Sequence, residues 1–252
     1  VSVDRRLRAL FFLGSAFSSV NWFLRGALAG LTLALVGCAS GTNLLSDVVA
    51  GVVADRFDSG ADPTRDVKLN PDYRYLRVEV DGRPPALLVL GYVDADPDGP
   101  IETWYSAGRE VIKTQNGRIV ATVGLETDWR SVRFQPRSPP AWTPHAGGQP
   151  TFFDRLRDEK PGYRYSVQDQ IEHRAWDRAP PGGVSPALAA AGMAHLVWFR
   201  ENTVRSTGDV LPPAWFAIDA RNDSAIVVYS EQCLTPVFCL KLLRWPLQGR
   251  AG

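Results

Sequence analysis

Hydrophobic residues change their spacing twice along this chain, and each change marks a different kind of element. Two apolar runs open it, Leu10 to Val20 and Gly26 to Gly37, with Arg5, Arg6 and Arg8 before the first and Arg25 before the second. Each is shorter than the ~20 residues a spanning helix needs. Between Asn43 and Phe57 the apolar residues Leu44, Leu45, Val48, Val49, Val52 and Val53 fall on one face at a 3.6-residue period, which predicts an amphipathic helix. Thr42 or Asn43 can cap it, and Ser59-Gly60 ends it. Such a helix either packs on the following domain or faces a membrane or partner.

From Tyr73 the period becomes two. Tyr73 to Val80 alternates, Asp81-Gly82 turns, and Pro85 to Val93 follows with a Leu87-Leu-Val-Leu90 centre that reads as buried on both sides. Ile101 to Ser106 is a short strand. Glu110 to Gln115, Asn116-Gly117 and Arg118 to Val123 form a hairpin, because Asn-Gly suits a type I′ turn whose two positions need positive φ. A strand resumes at Trp129 to Phe134. Residues 136–150 hold five prolines and two glycines and read as a long loop or crossing. Further strands are expected over Tyr163 to Ala175, Ala194 to Val204, Ala214 to Ala220, Ala225 to Ser230 and Val237 to Arg244, with one helical turn at Ala187 to Ala191. The expected fold is mainly β: an antiparallel barrel or sandwich-like domain of ten to twelve strands, preceded by a short helix. Glu102-Thr-Trp-Tyr105 and Pro213-Ala-Trp-Phe216, each followed by a turn and a β-branched strand, hint at two related β units.

Composition narrows the function. The 252 residues are 45% hydrophobic and 22% charged with a formal net charge of +1, which suits a globular body and gives no basic excess for nucleic acid. Three Cys and three His leave little for a metal, and no metal site is expected. There is no βαβ alternation or glycine-rich phosphate loop, so no cofactor is expected. His145, His173 and His195 lack helical metal spacing, no nucleophile elbow occurs, and no catalytic residue is assigned. Carboxylates such as Glu102, Asp128, Asp154, Asp158, Asp169 and Glu172 would act as a glycosidase pair only if two stood ~5–9 Å apart.

The second apolar run ends in Leu35-Val-Gly-Cys38, which resembles a bacterial lipobox. A basic segment, a short apolar core and a small residue before the cut are what a signal peptide needs. Residues 1–37 are therefore expected to be removed and Cys38 acylated; several acyl chains give stable anchoring to membrane lipid where one is marginal. In enterobacterial lipoproteins an Asp after the cysteine retains the protein in the inner membrane, so the resemblance of this segment to a lipobox, with Ala39 there, implies the outer membrane, on its periplasmic face. Removing 1–37 takes away Arg5, Arg6, Arg8 and Arg25 against Asp4 and leaves the balance near neutral. Residues 38–72 form the anchored N-terminal segment, 73–246 the β-rich domain and 247–252 a tail.

In that order, the lipobox, Trp104-Tyr-Ser, Lys113-Thr-Gln-Asn-Gly-Arg-Ile-Val-Ala-Thr-Val-Gly-Leu125 and Val228-Tyr-Ser-Glu-Gln232 resemble the YjbF/GfcB family of lipoproteins tied to group 4 capsule and exopolysaccharide production. The motif positions are Asn116, Gly117, Arg118, Thr122, Gly124, Leu125 and Gln232. The resemblance implies an antiparallel, barrel-like fold and polysaccharide export or assembly proteins as partners; it carries no catalytic signature. Cys233 and Cys239 depart from the family pattern. An oxidising compartment and a proline turn between them favour a structural disulfide, with separate buried thiols as the alternative.

Candidate binding residues are Arg118, Trp104, Tyr105 and Trp142. Arg118 either pairs with Glu110 across the hairpin or faces an acidic sugar. Trp104 and Tyr105 either stack on sugar or fill the core. Trp142, in the proline-rich loop, is expected to be exposed. The expected function is a lipid-anchored, non-catalytic scaffold or glycan-binding component for exopolysaccharide or capsule assembly. The alternatives are a periplasmic polysaccharide-modifying enzyme and a general envelope adaptor or outer-membrane assembly partner.

Overall fold

The computed structural model describes residues 62, 64, 67–136, 138–143, 149–161, 167–192, 194–219 and 225–247. The expected signal segment 1–37, Cys38, the helix over 43–57 and the tail beyond 247 lie outside these residues, as does part of the proline-rich loop.

Twelve strands and one short helix are described: β1 (Tyr75–Val80), β2 (Ala86–Asp94), β3 (Ile101–Tyr105), β4 (Val111–Gln115), β5 (Arg118–Val123), β6 (Asp128–Gln135), β7 (Thr151–Lys160), β8 (Val167–Trp176), α1 (Pro186–Ala191), β9 (Leu196–Ser206), β10 (Ala214–Asp219), β11 (Ile226–Thr235) and β12 (Phe238–Trp245). They form one antiparallel sheet in the order β5-β4-β3-β2-β1-β12-β11-β10-β9-β8-β7-β6. Every ladder but one joins strands adjacent in sequence; the exception pairs β1 with β12. The two ends, β5 and β6, come side by side without a ladder, so the sheet curls into a nearly closed barrel.

The Asn-Gly hairpin forms as its chemistry requires. Asn116 and Gly117 both take positive φ, 49° and 80°. Gly117 is needed for a second reason: a Cβ there would fall 2.5 Å from the Val227 side chain of β11.

Alternation along each strand divides inside from outside. Leu76, Val78, Leu88, Trp104, Ile112, Ile119, Trp129, Leu240 and Leu242 fill one end of the barrel. Trp142, Phe199, Phe216, Ile218 and Val227 form another internal cluster. On the outside, α1 lays Leu188 over Trp198, Ala217, Tyr229 and Leu243. That outer layer is pinned by polar contacts. The Ser185 hydroxyl donates to Glu79 at 2.6 Å, and Arg77 donates to Thr64 at 2.8 Å and Asp62 at 2.6 Å.

Two expectations need correction, and the first part of a third lies outside the described residues. Strand β7 was not foreseen, because its inward positions include Arg155 and Arg157 while Phe152 faces out, which inverts the usual pattern. The strand expected from Tyr163 is present from Val167 to Trp176, and residues 162–166 lie outside the described residues. The two aromatic pairs do not mark equivalent units: Trp104 turns inward on β3, whereas Trp215 of β10 lies on the outer face and its neighbour Phe216 turns in. Cys233 and Cys239 are directly opposed on β11 and β12 and form a disulfide.

Candidate functional site

The motif residues gather at the seam between the two ends of the sheet. The Thr122 hydroxyl donates to Asp128 at 3.1 Å and accepts from the Trp129 amide at 3.0 Å, tying β5 to β6. Asp128 also accepts from the amides of Gly124 and Leu125, both at 3.1 Å, so one carboxylate holds the whole turn. Gly124 has φ 84°, which a glycine adopts without penalty. Asn116 donates its side-chain amide to the Asp98 carbonyl.

Gln232 does what a missing strand neighbour would otherwise do. From β11 its carbonyl accepts from the Ile119 amide at 2.9 Å, and its amide donates to the Gly117 carbonyl at 2.9 Å. Two backbone groups at the start of β5 are thereby satisfied inside the barrel, where an unpaired group costs about 1–3 kcal/mol. The sequence singles out Gln232 but gives no sign of this role, since its partners are more than a hundred residues away.

Arg118 sits at the centre of a buried cluster. It is 3% exposed, and its guanidinium donates to Glu201 of β9 from Nε at 3.0 Å and from Nη2 at 2.7 Å. It also donates to the Pro140 carbonyl at 3.2 Å. The expected pairing with Glu110 does not occur; the Glu110 carboxylate accepts from the Ser106 hydroxyl instead. Arg118 points into the barrel, whereas Glu110 lies at the strand's far end, before β4. The Arg118 guanidinium carbon is 3.9 Å from the Trp142 ring centroid.

Trp142 is 6% exposed rather than exposed as expected. The described part of the proline-rich loop brings Trp142 into the barrel, and its indole is caught between Phe199, Phe216 and Arg118 while its N–H donates to the Asn116 carbonyl at 2.9 Å. Glu201 also meets His173 Nδ1 at 3.0 Å. Burial pushes the Glu201 carboxyl up, but the charge of Arg118 and the contact with His173 outweigh it and hold Glu201 at about 2.

A second interior group stands beside the first. Asp169 of β8 accepts from Arg155 at 2.7 Å, from Arg157 at 2.6 Å and from the Ser206 hydroxyl at 2.7 Å. Burial opposes ionisation of Asp169, yet its arginine and serine partners hold it below the ordinary carboxylate range. Trp129 receives both guanidinium carbons against its ring, at 5.0 and 5.1 Å. The carboxylates are thus committed to arginine, and among the described residues no group of three or more His, Cys, Asp or Glu is placed to hold a metal.

Of the four candidate binding residues, Trp104 is fully buried and donates to the Thr114 hydroxyl at 3.1 Å. Tyr105 reaches the surface, 38% exposed, beside Tyr92 with ring centroids 6.3 Å apart. Tyr105 lies flat over β2, where a Cβ at Gly91 would fall 2.5 Å from its ring. Lys113 stands 5.6 Å from the Tyr92 ring. The structure therefore joins Arg118 to Trp142 and leaves Trp104 and Tyr105 on opposite faces of β3.

Several residues of the seam are among those by which the chain resembles capsule lipoproteins, and the comparison with protein families covers part of them. Residues 59–178 match the family described as "Group 4 capsule polysaccharide lipoprotein gfcB, YjbF". Over this stretch the chain is similar to YjbF/GfcB sequences. The match includes the hairpin, the Asp128 turn and β6 to β8. No curated protein matches the chain. Among solved structures, the crystal structure of the hypothetical lipoprotein YmcC from Escherichia coli (K12) is similar at 16% identity and a TM-score of 0.45, covering 68% of this chain and 83% of that one.

Proposed function

We propose that this protein is a non-catalytic lipoprotein of the outer membrane, facing the periplasm, that supports assembly or export of a capsule or exopolysaccharide. The observation that carries the reading is the YjbF/GfcB match over residues 59–178, a stretch that includes the hairpin and the Asp128 turn at the barrel seam. Acylated Cys38 is the proposed anchor in membrane lipid, and polysaccharide export or assembly proteins are the proposed partners. Within this role the β domain acts as a scaffold or holds the glycan.

The test is purification of the native protein from envelope membranes, with intact mass and partner identification. A mass matching acylated Cys38 together with enriched export proteins is expected. An unacylated mass with no export partner overturns the anchor and the partner assignment. Deletion without any effect on surface polysaccharide, under conditions that require its neighbouring genes, overturns the pathway.

A further inference from the structure

The outer face of the sheet carries a charged cluster that the motif does not touch. Arg174 of β8 and Arg200 of β9 stand directly opposite each other, and Arg200 stands opposite Trp215 of β10. Like charges opposed across an antiparallel pair repel. Here aromatic rings hold them. The Arg200 guanidinium carbon lies 4.9 Å from the Trp176 centroid and 5.4 Å from that of Trp215, and Arg174 lies 5.5 Å from Trp176. The two indoles meet edge to face at 5.9 Å.

Charge compensation is incomplete. Glu172 is 3.6 Å from Arg174 and also accepts from the Asn202 side chain at 3.3 Å. Arg200 has no ion pair among the described residues, and its Nε is shielded from water without an acceptor. The Arg174 Nε is in the same state, while the rest of its side chain is 38% exposed. The contrast with the interior is direct: Arg118, Arg155 and Arg157 each meet a carboxylate within 3 Å.

A guanidinium pinned between rings has already lost most of its side-chain freedom, so an arriving carboxylate meets an ordered, weakly hydrated fork. Charge-assisted bonds to that fork are the strong kind. The half-buried Trp176 ring beside it offers an apolar face of the sort on which ligand rings pack. We propose that Arg174, Arg200, Trp176 and Trp215 form a binding site for a carboxylate-bearing saccharide, with the carboxylate on the paired guanidiniums and the sugar ring against Trp176. The need for an oxyanion follows from the cluster itself; the choice of a saccharide rests on the exopolysaccharide role proposed above.

The test uses the full chain in detergent, titrated with trigalacturonate while the tryptophan indole N–H signals are followed by NMR. Maltotriose is the neutral control and a triaspartate peptide the protein-like one. Trp176→Phe and Trp215→Phe assign the two reporting signals. Trigalacturonate should move both signals, and maltotriose should bind at least about tenfold more weakly, as expected for loss of a charged hydrogen-bonded pair. Arg200→Gln should weaken trigalacturonate about tenfold or more, and Arg200→Lys should recover only part of that. Glu172→Gln removes the competing carboxylate and should tighten binding. Should Arg200→Gln not fold, Arg174→Gln, on the more open side, gives the same reading.

Unchanged affinity in the folded arginine variants, or no shift with trigalacturonate at millimolar concentration, overturns the site. Equal binding of triaspartate overturns the saccharide and assigns a protein carboxylate. A failed titration alongside an intact deletion effect on surface polysaccharide rejects this site and leaves the pathway standing.

Discussion

Replacing Arg118 with Met tests the central claim that the interior is held by a buried, paired charge cluster. Arg118→Met preserves much of the side-chain volume but leaves Glu201 buried with only His173 against it. Breaking a buried pair by removing one partner costs about 3–5 kcal/mol. The contact with Trp142 adds about 1 kcal/mol. The expected loss is about 4–6 kcal/mol, a large part of the ~5–15 kcal/mol that typically separates folded from unfolded. Urea unfolding at pH 7 should show a lower midpoint at unchanged slope. The double variant Arg118→Met with Glu201→Met removes both charges and should recover part of the loss, which gives a measurable coupling energy.

The pH dependence fixes the sign. Glu201 titrates near 2 in the fold against its ordinary 4.5, so it contributes about 3 kcal/mol. That contribution is fully present above about 4.5 and is lost as pH falls towards 2. In Arg118→Met the burial remains and the guanidinium is gone, so protonating Glu201 relieves the variant. The stability gap between wild type and variant should therefore narrow as pH drops below about 4.5. A loss under 1 kcal/mol at pH 7, or a gap that widens in acid, would falsify the paired-cluster account.

Three further outcomes follow from the seam and its neighbours. Gln232→Leu leaves the Ile119 amide and Gly117 carbonyl without partners and should cost about 2–4 kcal/mol, with faster hydrogen exchange at Ile119 as the local sign. Gly117→Ala should destabilise through both its positive φ and the collision with Val227; pairing it with Val227→Ala should recover only the collision, as read from thermal midpoints. Reducing Cys233–Cys239, or replacing both by Ala, should cost about 2 kcal/mol for so short a loop, measured as the shift in urea midpoint with and without reductant.

How much of this the sequence discloses depends on how local the physics is. The Asn116-Gly117 hairpin was fully legible because a type I′ turn is specified by the two residues that form it. The Leu87-Leu-Val-Leu90 centre was legible because apolar residues in a row need two covered faces; Leu87 to Val89 are buried and Leu90 is partly so. Strand β7 was not, because Arg155 and Arg157 face inward to Asp169, so its buried face reads as charged and its exposed face carries Phe152. Arg118 stood out as a candidate for pairing or ligand contact, but its partner lies 83 residues away on β9, beyond any pattern within the hairpin. Trp142 misled for a similar reason: prolines mark a loop, yet they do not say whether a tryptophan within it turns outward or into the barrel.

The way charge is distributed decides where this barrel can act. Its interior is occupied by Trp142, Trp129, Arg155, Arg157, Asp169 and the Arg118–Glu201 pair, each engaged with another protein group. A polymer could enter only by breaking those contacts, at several kcal/mol for each buried ion pair. The motif residues are spent on closing the seam, and disturbing them would be felt first as lost stability. Binding is therefore better sought on the outer face, where Tyr92 and Tyr105 are exposed and the Arg174–Arg200 pair lacks a full complement of carboxylates. On that division, substitutions at the seam should lower the amount of folded protein, whereas Arg174→Gln should leave the thermal midpoint nearly unchanged and alter only what the surface holds.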